Sequence, residues 1–170
     1  FGNTENLTAY LQMLKNCDTE IIKEVLTSKN EAQFTPLHQV LLSGNVENLR
    51  MYLELTENTI PSHELYKLVM AKNKAGYSSL TNALNSKNAM FVTQILFEFI
   101  DNNFSKGTAD TIKSSLLHSR INGFLPSANK KKIGFKTADQ VDKYLNELRK
   151  EYPVRTSQER SHKLFFDDNG

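Results

Sequence analysis

One cysteine and no tryptophan occur in 170 residues. A lone thiol, Cys17, cannot close an internal disulfide, so the fold must be held by its core, and the chain fits a reducing compartment such as the cytoplasm. The seven glycines never cluster, which excludes a glycine-rich loop wrapped round a phosphate. No apolar run approaches the roughly 18 residues of a membrane span. The formal net charge is only +2, too small by itself to imply nucleic acid or a membrane surface. His38, His63, His118 and His162 are scattered singly, and HExxH and CxxC spacings are missing, so neither a metal nor a cofactor is expected. Cys17 precedes a helical pattern, where the helix dipole favours a thiolate, but no Cys–His spacing or oxyanion-loop signature accompanies it. The expectation is a protein that is not an enzyme.

What is present is enough for a folded chain: 39% hydrophobic and 24% charged residues. The most informative stretch is Thr35-Pro36-Leu37-His38, with Gly44 behind it and then Val46, Leu49 and Leu53. Residues 29–37 align without a gap on residues 72–80: Lys, Asn, Ala and Leu repeat, and an aromatic followed by a hydroxyl residue (Phe34-Thr35, Tyr77-Ser78) recurs. Further on, Ser43 and Asn45 match Ser86 and Asn88, while Val46, Leu49 and Leu53 match Ala89, Val92 and Leu96. A repeat of this size implies stacked supersecondary units.

Taken in order, residues 3–16 read as a helix capped by Asn3 or Thr4, and Asp18 caps a second one carrying Ile21, Ile22, Val25 and Leu26 on one face. The two form an antiparallel pair over 1–28, a degenerate first unit or cap. Pro36 suits the first position of a helix that stops at Gly44, and Asn45 caps a longer one. In the span 56–72 Ser62 reads as a cap, and Leu65, Leu68 and Val69 supply a turn or two of helix. The most apolar helix runs from Asn88 to Phe104 with Phe91, Val92, Ile95, Leu96, Phe99 and Ile100; Lys106-Gly107 ends it and Thr108 caps the next. Asn122-Gly123 closes that helix. Thr137 and Gln140 make a capping box for a last helix with Val141, Tyr144, Leu145 and Leu148, and residues 154–170 are expected to be an extended tail.

Thr-Pro-Leu-His followed by Gly44 and an apolar second helix resembles an ankyrin repeat, closely over residues 30–55 and as a divergent copy over 73–98. The resemblance implies an all-α fold: a short solenoid of helical pairs, two repeats over 29–104 with the insertion between them, and a helical pair over 105–153 as a C-terminal cap. It implies that Thr35 caps the first helix and exchanges a hydrogen bond with His38, and that Phe34 and Tyr77 stand near hairpin tips, pointing to solvent. In the second copy Ser78 can still cap, but Ser79, Thr81 and Lys87 replace the motif's Pro, His and Gly. Such repeats imply a protein-interaction module, so the expected partner is another protein. It would contact Phe34 and Tyr77 as anchors, Gln33 and Lys74 at the tips, and Gln39, Ser43, Asn82 and Asn85 on the concave side. The alternative for each ring is packing on the neighbouring unit or on the insertion.

Divergent repeats in a background of sixteen Lys and seventeen Asn resemble host-directed effectors of intracellular bacteria, which would place the chain in a host cytosol. The competing reading is a substrate-targeting domain of a larger enzyme, since the chain begins at Phe1 rather than Met. Lys130-Lys131-Lys132 could grip phosphates or anionic lipid, though a three-lysine run is more often solvated. Leu164-Phe165-Phe166 could be a short docking motif.

Overall fold

The computed structural model describes residues 4–119 and 138–154, with the side chains of residues 4, 5 and 138–142 outside that description. Among the described residues the chain is all-helical, without strands. The helices are α1 (Thr4–Leu14), α2 (Thr19–Thr27), α3 (Pro36–Ser43), α4 (Val46–Thr59), α5 (Ser62–Met70), α6 (Ser79–Leu84), α7 (Ala89–Asn103), α8 (Lys106–Leu117) and α9 (Ala138–Glu151).

The local reasons are visible at the ends. Thr35 and His38 form a reciprocal cap on α3: the His38 N–H donates to Thr35 Oγ1 at 3.4 Å, and the Thr35 N–H donates to His38 Nδ1 at 3.1 Å. Gly44 ends α3 at φ 70, in the left-handed region, and Asn45 Oδ1 accepts from the Asn48 N–H at 2.8 Å to start α4. Other caps differ from the sequence reading. Asp18 holds the cap position of α2 but its carboxylate makes no cap bond. Ser62 is the first residue of α5, preceded by Pro61, and the insertion is a full nine-residue helix. The span assigned to it also overlaps α4, which runs on to Thr59. Lys106 and Gly107 open α8 rather than closing α7, and Ser105, not Thr108, is the cap, accepting from the Thr108 N–H at 3.4 Å.

The core follows the pairing of helices. α3 packs on α4 and on α6, α6 on α7 and α8, α4 on α7, and α7 on α8. Two first-position helices and two second-position helices therefore lie side by side, with Leu37, Val40, Leu41, Leu80, Ala83 and Leu84 buried between them. Each large apolar side chain removed from water in this way stabilises by about 1.5–3 kcal/mol. At the N-terminal end α1 and α2 pack more extensively on α4 than on each other. There the hydroxyl of Tyr52, wholly buried, donates to the Leu26 carbonyl at 2.8 Å and ties α4 to α2.

At the other end Lys113, a charged residue on the buried side of α8, is 2% exposed. It forms an ion pair with Asp101, donates to the Tyr152 hydroxyl at 3.1 Å, and lies 4.5 Å from the Tyr152 ring centroid. Burial alone pushes its ammonium towards the neutral form. Asp101 and Tyr152 together outweigh that and hold its pKa above the ordinary lysine value. Arg149 Nε donates to the Leu117 carbonyl at 3.0 Å, and α8 and α9 pack on each other. Asn3, Asn122-Gly123, Lys130–Lys132, Thr137, the Gln140 side chain and Leu164-Phe165-Phe166 lie outside the described residues.

Candidate functional site

The two turns that precede α3 and α6 are the same structure built twice. Asn30 Oδ1 accepts from the N–H groups of Ala32 and Phe34, each at 3.0 Å; Asn73 Oδ1 accepts from those of Ala75 and Tyr77, again at 3.0 Å. In each turn the asparagine N–H also donates to the aromatic residue's carbonyl, at 3.1 Å (Asn30 to Phe34) and 2.9 Å (Asn73 to Tyr77). The repeated Asn is thus the residue that folds the turn, a role its identity in both copies announced and that the sequence reading left unassigned. Gln33 (φ 62) and Gly76 (φ 87) occupy the same left-handed position, where a side chain costs about 1–2 kcal/mol.

The turns are joined to each other. The Lys74 N–H donates to the Ala32 carbonyl at 2.8 Å, Asn82 Nδ2 to the His38 carbonyl at 3.1 Å, and Asn88 Nδ2 to the Gly44 carbonyl at 2.7 Å. A Cβ added at Gly44 would come within 3.0 Å of Lys87 Cγ and 3.3 Å of the Lys87 backbone N. Glycine at 44 therefore serves the helix end and the seam together.

Against this frame the expected contact residues separate. Phe34 and Tyr77 are both half-buried at corresponding turn positions. The Phe34 ring meets His38 edge-on (centroids 5.6 Å, 81°), so it packs on its own unit's cap rather than standing free. Gln33 and Lys74 are exposed at the tips. Gln39, Ser43 and Asn85 are half-buried; the Ser43 hydroxyl donates to the Val40 carbonyl at 2.8 Å, and Asn85 Nδ2 to that of Thr81 at 2.8 Å. Asn82 departs from the expected concave-surface role: it is buried and commits its amide nitrogen to the seam, which leaves little of it for a partner. Phe91, one of the residues that make α7 the most apolar helix of the sequence, is 66% exposed, because α7 directs Val92, Ile95 and Leu96 inward instead.

His38 is fully buried and uncharged. Burial pushes its pKa down to about 4, with the Lys29 charge adding to that and the backbone of Ala71 and Tyr77 opposing it. Nδ1 accepts from the Thr35 N–H and lies 2.8 Å from the Thr35 hydroxyl, so the ring proton resides on Nε2, which has no hydrogen-bond partner. In the second turn the corresponding cap is not made: Ser78 gives α6 no side-chain bond, and the buried hydroxyls of Ser78 and Thr81 are unpartnered. Ser79, in the place of Pro36, donates to the Val69 carbonyl of α5 at 3.1 Å. That bond ties the start of α6 to the inserted helix but satisfies none of the N–H groups a cap would.

Among the described residues no group of three or more His, Cys, Asp or Glu is placed to hold a metal ion, and no helix is long and apolar enough to cross a membrane. Compared with family models, curated proteins and solved structures, the chain matches none of them.

Proposed function

We propose that this chain is a protein-interaction module, an ankyrin-like stack that docks a partner protein across its two turn tips and the groove beside α3 and α6. The observation that carries the reading is the pair of identically hydrogen-bonded turns, joined backbone to backbone, each offering a half-exposed aromatic ring. Rings held in this way lose little freedom on binding, which is what an interface anchor requires. Gln33, Lys74, Gln39, Ser43 and Asn85 surround them and supply adaptable polar contacts.

Two settings suit such a module: a host-directed effector of an intracellular bacterium, acting in the host cytosol, or the substrate-targeting domain of a larger enzyme. The length of the complete open reading frame distinguishes them, a short gene favouring the first. The docking reading is tested by Phe34→Ala and Tyr77→Ala, singly and together, in capture experiments against candidate host lysate with wild type alongside. Loss of captured bands with the melting transition retained supports the reading. Unchanged capture by the double variant removes both rings from the interface.

A further inference from the structure

A cavity of about 240 Å³ lies between the end of α2, the first turn and α5, lined in part by Lys23, Thr27, Lys29, Thr35, Glu64 and Lys67. Three lysines face one carboxylate. Glu64 is already engaged, with Lys23 Nζ at 2.8 Å, and the two hold each other charged: the lysine pKa is raised and the glutamate pKa lowered by their mutual hydrogen bond. Lys29 and Lys67, both exposed at the same opening, hold no ion pair among the described residues, although the Glu64 charge also reaches Lys67. The walls are set by packed elements: Thr27 Oγ1 is fixed to the Lys23 carbonyl at 2.8 Å, and Thr35 is locked into the His38 cap. The balance of three positive charges against one negative matches a group carrying about two negative charges at neutral pH, which is the charge of a phosphate monoester.

We propose that this cavity is a receptor for a phosphoryl group, with Lys29 and Lys67 as its charge partners, Lys23 as a third held in place by Glu64, and the Glu64 carboxylate as the one unfavourable neighbour. The site uses neither Phe34 nor Tyr77, so it stands independently of partner docking at the tips. It also gives the insertion between the two repeats a role, since α5 supplies both Lys67 and Glu64.

The test is a titration of the isotope-labelled full chain with inorganic phosphate and with an N-acetyl phosphoserine amide, followed by amide chemical shifts at constant ionic strength in chloride. Saturable shifts confined to residues 23–29 and 64–71 are expected, absent with chloride alone. Lys29→Ala and Lys67→Ala should each weaken binding roughly fivefold, the size of an exposed ion pair of about 1 kcal/mol. Glu64→Gln should tighten it by a similar factor, a gain that a merely destabilised site would not show. Tighter binding of the ester assigns the ligand to a phosphorylated partner, and equal binding assigns it to free phosphate. Absence of saturation with both probes, or shifts unchanged in the Lys29→Ala/Lys67→Ala variant, overturns the proposal.

Discussion

His38 is expected to make this fold acid-sensitive, and the size of the effect follows from its surroundings. The imidazole is neutral and buried, with a pKa of about 4 against an ordinary value of 6.5. In the unfolded chain it takes up a proton below about 6.5; in the folded chain it resists until about 4. Stability is therefore whole above pH 6.5 and is lost progressively as pH falls through that window. The full shift corresponds to about 3.4 kcal/mol, and roughly 2 kcal/mol of it is gone by pH 5. The geometry gives the cause: a proton on Nδ1 would abolish the acceptor that holds the Thr35 N–H, in a place where water does not reach. His38→Gln keeps a capping-box acceptor and removes the titration. Urea unfolding of both proteins at pH 7.5, 6 and 5 subtracts every other ionising group, and the variant should lose about 2 kcal/mol less than wild type between the extremes. Parallel pH profiles would refute the neutral, buried assignment of His38.

Gly44→Ala should destabilise more than Gly76→Ala, measured by thermal melting. Both add a Cβ at positive φ, for about 1–2 kcal/mol, but only at Gly44 does that carbon meet Lys87, whereas nothing lies within 4 Å at Gly76. Thr81→Val and Thr93→Val each delete a buried hydroxyl that has no partner, and each is expected to raise the urea midpoint, by an amount equivalent to about 1 kcal/mol. Tyr52→Phe leaves the Leu26 carbonyl buried and unpaired and should cost about 1–3 kcal/mol. Hydrogen exchange should show that loss as faster opening at the end of α2.

Features set within one turn of chain were legible before any coordinates. Thr35, Pro36, Gly44 and Asn45 act on neighbours three or four residues away, and their chemistry reads directly from spacing. Caps chosen between hydroxyl residues one turn apart were not: Ser105 and Thr108 both suit the position, and only the path of the chain out of Phe104 decides between them. Groups that act across the seam were invisible for a different reason. Asn82 lies on a helix like any solvated asparagine, and what buries it is the His38 carbonyl 44 residues earlier. Lys113 stands three and four residues before Leu116 and Leu117, a spacing that puts it on the buried side of α8 whatever its charge. Phe91 shows the converse, since its hydrophobicity does not reveal that α7 fills its inner face with other apolar positions and leaves this ring outside. In the candidate site the two rings were found at their turns, but the contact of Phe34 with His38 depends on side-chain direction, which spacing does not carry.

The seam between the two repeats has a polarity of its own. In the three hydrogen bonds that end on a backbone carbonyl the later repeat donates and the earlier repeat accepts, at Ala32, His38 and Gly44, and Asn103 Nδ2 of α7 likewise donates to Glu57 Oε1 of α4 at 2.7 Å. Every residue type provides a carbonyl, so at those three positions the accepting edge is indifferent to the side chains it carries. The donating edge depends on Asn82 and Asn88 for two of the three. Such a junction is head-to-tail rather than self-complementary, and head-to-tail contacts propagate in one direction only. Mutational drift is consequently cheaper on one side of the joint than on the other, and a unit grafted after α4 from another protein would need to bring its own pair of amide side chains.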